Sequence, residues 1–208
     1  MTGKYTFSVW SFSTVKRMKK IIEGDKSILS HKNIYGKTLY LHLASRENNE
    51  GVLEFLKFLD ENYPELRNVK ATTGNDAYLA ATAGGNLYVM KYLEKEFQWN
   101  VKSLNNNGND AFMLAAYYGH IHIMQHLVVV HGWDIGVKNK YDCNALSYAR
   151  QNKKQNVIDF LVDRNNVIGK VRLEISEYFS EQNKKIEELQ KKVEDFQKQL
   201  QVVKELVQ

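Results

Sequence analysis

At 208 residues, with 43% hydrophobic and 25% charged side chains, the chain has room for one ordinary domain plus an appendage, and its balance excludes wholesale disorder. One Pro and 12 Gly exclude a collagen-like or linker-like composition. The formal charge of +5 is uneven: basic and acidic residues cancel from Asn166 onward, so the excess lies before it, with a cluster at Lys16, Arg17, Lys19 and Lys20.

That cluster is compatible with nucleic acid or an acidic partner, but on a helix it more often forms a solvated face. The single cysteine, Cys143, can form no internal disulfide, which fits a reducing compartment. Residues Met1 to Phe12 lack the pattern of a signal peptide, and Thr2 excludes N-myristoylation. The longest aliphatic run, Leu127 to Val130, is too short to span a bilayer. The expectation is a soluble intracellular protein, cytoplasmic and without a membrane partner.

In chain order, the first apolar block is Val15, Met18, Ile21 and Ile22, followed by Ile28-Leu29. A second block starts at Gly36-Lys37-Thr38 and continues through Leu43-Ala44, Val52-Leu53, Phe55 and Leu56. From Gly74 onward the chain repeats itself at a shift of 34: Gly74-Asn75-Asp76-Ala77 aligns with Gly108-Asn109-Asp110-Ala111, Ala81 with Ala115, Gly85 with Gly119, Leu93 with Leu127 and Trp99 with Trp133. A further shift of 34 carries Ala111 onto Ala145, Ala115 onto Ala149 and Leu127 onto Leu161.

Each unit predicts two short helices. The first, Ala111 to Tyr118, carries small residues that admit a close neighbour, and Gly119 supplies the permissive backbone that ends it. The second, His120 to about Val130, lines up Ile123, Met124, Leu127 and Val128 in one apolar stripe. The polar run Lys138 to Asp142 predicts an exposed loop or hairpin. One unit cannot bury its own stripe, so neighbours must stack into a solenoid.

From Ile175 the period changes. Phe179, Ile186, Val193, Leu200 and Val207 are seven apart, and Ile175, Leu189, Phe196 and Val203 fill the alternate core position, with Gln182 the only break. This narrow seam, surrounded by Lys, Glu and Gln, predicts a coiled coil. A single amphipathic helix folded back on the repeats is the competing reading. Lys185 and Lys192 at g would face Gln190 and Gln197 at e in a parallel pair but each other in an antiparallel one, which favours parallel self-association into a homo-oligomer through residues 175–208, with a trimer or a heteromeric partner left open.

These residues carry a resemblance. The run Gly108 to His120 resembles the signature of the ankyrin-repeat family, Gly-x-Thr-Pro-Leu-His-Leu-Ala-Ala-x-x-Gly-His, and His131-Gly132-Trp133-Asp134-Ile135 resembles the close of such a repeat. The resemblance implies an all-α ankyrin-repeat solenoid over 5–165, as four repeats plus an N-terminal half-repeat cap from the Val15 block. A linker or helix start over 166–174 and the coiled coil over 175–208 follow. The first full copy needs one extra residue before its first helix and about three around Pro64. Asp76-Ala77, Asp110-Ala111 and Asn144-Ala145 replace the family's Thr-Pro pair, and Trp99 and Trp133 replace a small residue, a style similar to divergent ankyrin proteins of giant viruses and protists.

The resemblance further implies a non-enzymatic module that grips a protein ligand, of unknown identity, by its loop tips and the ends of its first helices. Carried over by alignment, those positions are Asn106, Asn107, Asn109, Tyr117 and Tyr118 in the third repeat. The fourth repeat adds Lys140 and Tyr141, and the first adds Arg46 and Glu47. A nucleic-acid-associated factor using the basic N-terminal half is the alternative, weakened by the absence of aromatic residues among Lys16 to Lys20.

Other chemistry finds no support. Gly36-Lys37-Thr38 ends like a phosphate-binding loop, but His31 stands where that motif requires Gly. His122 and His126 are one helical turn apart, yet Ile123 follows His122 where a zinc protease needs Glu. Cys143 has no neighbouring base to activate it. No catalytic residue, cofactor or metal site is expected.

Overall fold

The computed structural model describes residues 12–46, 50–163, 180–194 and 196. The chain divides into two compact units, Met1–Leu161 and Val162–Gln208. Among the described residues there is no strand. Helix α1 (Phe12–Gly24) and the single turn α2 (Ser27–Ser30) precede a series of helix pairs. These are α3 (Leu39–Ala44) with α4 (Glu50–Asn62), α5 (Ala77–Ala83) with α6 (Leu87–Phe97), and α7 (Ala111–Tyr118) with α8 (Ile121–His131). The last is α9 (Ala145–Gln151) with α10 over 155–163. A 3-10 turn, Pro64–Asn68, follows α4.

The first helices stack in a row, α5 packing on α3, α7 on α5 and α9 on α7. Their composition explains why: Ala77, Ala81, Ala111, Ala115, Ala145 and Ala149 are all buried, and such short side chains let backbones approach. The second helices contribute the stripe Val89, Met90 and Leu93, then Ile123, Met124 and Leu127, then Val157 and Leu161. Helix α1 closes the other end by burying Val15, Met18 and Ile22.

Each first helix starts with a side-chain cap where the family places Thr. Thr38, Asp76, Asp110 and Asn144 accept the amides of Leu41, Leu79, Met113 and Ser147. The exchange of Thr for Asp or Asn therefore keeps the cap, and Ala at the next position costs nothing in helix propensity. Burial pushes the Asp110 carboxyl above its ordinary value, opposed by bonds from the Met113 amide and the Trp133 ring. Trp133 Nε1 donates to Asp110 Oδ2 at 3.3 Å, so the bulky ring after α8 is fastened to the cap of α7.

The extra residues of the first pair lie elsewhere than the sequence suggested. The turn and cap at Gly36, Lys37 and Thr38 match Gly74, Asn75 and Asp76 without insertion. Tyr40 bonds Asp60 as Tyr78 bonds Glu94, yet Tyr40 and Tyr78 are 38 apart in sequence and Asp60 and Glu94 are 34 apart. The added length therefore falls between α3 and α4, a turn of which residues 47–49 lie outside the described residues. Alignment by residue type alone had spread it over two places because α4 and the Pro64 turn are locally compatible with either.

In the second unit, residues 180–194 are helical, and Lys185 pairs with Glu181 at 2.7 Å one turn away. Ile186, Leu189, Val193 and Phe196 are each at least half exposed. Ile175, Phe179, Leu200, Val203 and Val207 lie outside the described residues.

Asp110→Ala should lower folding stability by about 1–2 kcal/mol in urea denaturation, through loss of the cap. Asp110→Asn, which mimics Asn144, should recover most of that loss.

Candidate functional site

Between the pairs the chain forms short fingers that the sequence presented only as polar runs. Each closes on itself by two backbone bonds. The outer ones are Asn33 N to Lys37 O, Ala71 N to Asn75 O, Asn105 N to Asn109 O and Asn139 N to Cys143 O, at 2.9–3.1 Å. The inner ones run from Gly36, Gly74, Gly108 and Asp142 N to Asn33, Ala71, Asn105 and Asn139 O. Each of the last three also donates to the finger before it, Thr72 N to Tyr35 O, Asn106 N to Thr73 O and Lys140 N to Asn107 O. Gly74 turns at φ 81°, and a Cβ there would run into Asn106, so the close approach requires glycine.

A side-chain ladder reinforces this stack. The Asn33, Asn105 and Asn139 carboxamide oxygens each accept two amides of their own finger. Asn105 Nδ2 donates to Asn75 Oδ1 at 3.1 Å, and one repeat later Asn139 Nδ2 donates to Asn109 Oδ1. Tyr148 OH donates to Asn109 Oδ1 at 3.0 Å. Net contributions of roughly 0.5–1.5 kcal/mol for each such bond fix the fingers in register.

Asn109 is only 6% exposed, its carboxamide oxygen accepting from Asn139 and Tyr148 in the ladder. Asn106 and Lys140 are exposed but also bridge fingers, Asn106 Nδ2 to Thr72 O and Lys140 Nζ to Asn106 O. Asn107 and Tyr141 are exposed at the tips, Tyr141 by 67%. Arg46 is half-buried beside His42, while Glu47 lies outside the described residues.

At the end of α7 the two tyrosines stand together. Tyr117 and Tyr118 meet edge to face at 4.8 Å, Tyr117 meets Tyr148 at 5.6 Å, and Tyr118 stacks over His120. The pair remains 38% and 46% exposed. Aromatic neighbours on both sides thus hold two exposed phenols nearly rigid. His120 is fixed in turn by Nε2, which donates to Ala83 O at 3.1 Å and so must carry the ring proton. The basic N-terminal cluster is partly engaged: Lys19 pairs with Glu54 and lies over the Phe58 ring, while Lys16, Arg17 and Lys20 are exposed.

His120, His122 and His126, the trio visible in sequence, do not converge. His122 Nε2 contacts Gly85 O, and His126 Nε2 lies 3.0 Å from Glu94 Oε2. The histidine that joins His126 is His131, also against Glu94. Glu94 belongs to the preceding repeat, which is why spacing alone could not bring it in.

The model of ankyrin repeats (3 copies) matches residues 41–139 and 77–172. The chain belongs to the ankyrin-repeat family, whose arrays are typically non-catalytic protein-binding modules. Comparison with curated proteins finds no match. Among solved structures it is similar to a chain in the crystal structure of the yeast ribosomal protein Rps3 in complex with its chaperone Yar1. That match has 23% identity and a TM-score of 0.50, covering 60% of this chain and 89% of that one. Among the described residues no helix is long and apolar enough to cross a membrane.

Burial holds the His120 imidazole below its ordinary value of 6.5, so the unfolded chain binds the proton more tightly. Stability should therefore fall as the pH drops through 6.5 and level off below the folded value. Replacing His120 with Gln should flatten that part of a melting-temperature profile.

Proposed function

We propose that the chain is an adaptor or scaffold that binds a protein partner through its finger tips and the exposed ends of its first helices. The Tyr117–Tyr118 pair carries this reading. Buttressed tyrosines offer large contact area at little cost in conformational entropy, and their hydroxyls supply polar anchors. Tyr141, Asn107 and Lys140 extend the surface toward the fingers. The yeast complex places a chain of this fold beside a ribosomal protein and so is in keeping with a protein ligand.

The tail supplies the second half of the proposal. Ile186, Leu189, Val193 and Phe196 follow the a and d spacing and are exposed in the isolated chain. Covering what remains exposed of each would contribute about half of the 1.5–3 kcal/mol of a full burial, which favours a coiled coil between copies; the flanking charges favour the parallel form. Joining two or more repeat arrays would multiply a modest affinity by making the second contact intramolecular.

Tyr117→Ala with Tyr118→Ala should abolish the specific capture of cellular proteins seen with the wild type while leaving helical circular dichroism unchanged. Loss of the helical signal would make the pair structural instead. Light scattering should show the full chain as an oligomer and the Leu189→Lys, Val193→Lys variant as a monomer. A wild-type monomer would remove self-association from the proposal.

A further inference from the structure

Two successive repeats use the same places for different chemistry. In the first, Asp60 accepts from Tyr40 OH and Tyr92 OH at 2.9 Å each, and Arg67 donates to it at 2.9 Å. Arg67 also covers the Phe97 ring, which meets Tyr92 edge to face at 5.4 Å. The carboxylate is thus balanced by a guanidinium, and its neighbours are two phenols and a carbon ring.

A shift of 34 converts Asp60 to Glu94, Tyr92 to His126, Phe97 to His131 and Arg67 to Val101. The geometry persists: Tyr78 OH donates to Glu94 Oε1 at 2.7 Å, and the rings of His126 and His131 meet edge to face at 5.4 Å. The charge does not persist. Among the described residues no Lys or Arg pairs with Glu94, and two imidazoles now face it. His131 Nε2 is buried and 3.3 Å from Glu94 Oε1 without a hydrogen bond to it.

The geometry points to a zinc(II) site formed by Glu94, His126 and His131, joining α6 to α8 across adjacent repeats. Their ligand atoms all lie within 4.8 Å of one another, with Glu94 at 3.0 Å from His126 and 3.3 Å from His131. Zinc bonds of about 2.0–2.2 Å place the ligand atoms of a tetrahedron about 3.3–3.6 Å apart, so small rotations of these side chains suffice. Two imidazoles and one carboxylate select zinc over magnesium or calcium, which prefer oxygen donors. The ion would supply the positive charge that Arg67 supplies one repeat earlier, and water would fill the fourth position. Tyr78 would act as an outer partner, orienting the carboxylate.

The test is differential scanning fluorimetry of the chelator-stripped full chain with zinc chloride, followed by cobalt(II) absorption. A hundredfold excess of zinc over its Kd should raise the melting temperature by about 5–10 °C. Cobalt should give the visible bands of a four-coordinate ion at one equivalent. His131→Phe, which installs the residue found at the equivalent Phe97, should fold without metal and lose both responses. Tyr78→Phe should weaken zinc binding about 10–100-fold. Absence of both responses in the wild type would overturn the site and leave an imidazole–carboxylate contact only. Zinc stabilisation undiminished in His131→Phe would overturn it equally, by placing the ion elsewhere.

Discussion

Ala81, Ala115 and Ala149 occupy equivalent places in three successive first helices, and none reaches solvent. Backbones can pack this closely only where side chains end at Cβ, and the rest of the array depends on that spacing. It brings each finger within reach of the next, so that the Asn106 amide meets Thr73 O and Asn139 meets Asn109. It also leaves the first helices no room to turn, which fixes the direction in which Tyr117 and Tyr118 leave the core. A longer side chain at Ala115 would disturb packing on α5 and α9 together, because α7 lies between them.

The helices were legible because their signals are local. Small residues, a terminal glycine and a stripe at spacings of three and four located α7 at its observed bounds and α8 within one residue. What escaped was set by neighbours across the repeat boundary. Asn109 reads as an exposed loop residue until Asn139 and Tyr148 are brought against it. The insertion in the first pair is placed by the Tyr40–Asp60 bond together with the buried Phe55, Leu56 and Leu59, which match Val89, Met90 and Leu93 at a shift of 34. His131 drew no notice beside His126 because its meaning comes from Glu94.

The surface separates into two kinds of polar group. Asparagines and lysines of the fingers are largely spent on holding the array in register, so their exposure overstates their availability. The phenols at the end of α7 are supported through their rings and remain partly exposed. Lys140 belongs to both kinds, because it is exposed and also bridges fingers, whereas Asn107 and Tyr141 stand exposed at the tips.

Each helix pair touches only its neighbours, so the array opens from its ends like a zipper. The fourth pair packs on the third, α9 on α7, and it takes a left-handed backbone at Asp142 and Lys153, where the third pair has Gly108 and Gly119. Strain of about 1 kcal/mol at such positions favours local opening of the fourth pair over the third. When the fourth pair opens, Tyr148 leaves Tyr117 and the aromatic platform loses one of its walls. Binding at α7, as proposed above, would therefore be linked to the docking of the last repeat: a ligand that clasped the tyrosines would also hold the fourth pair in place.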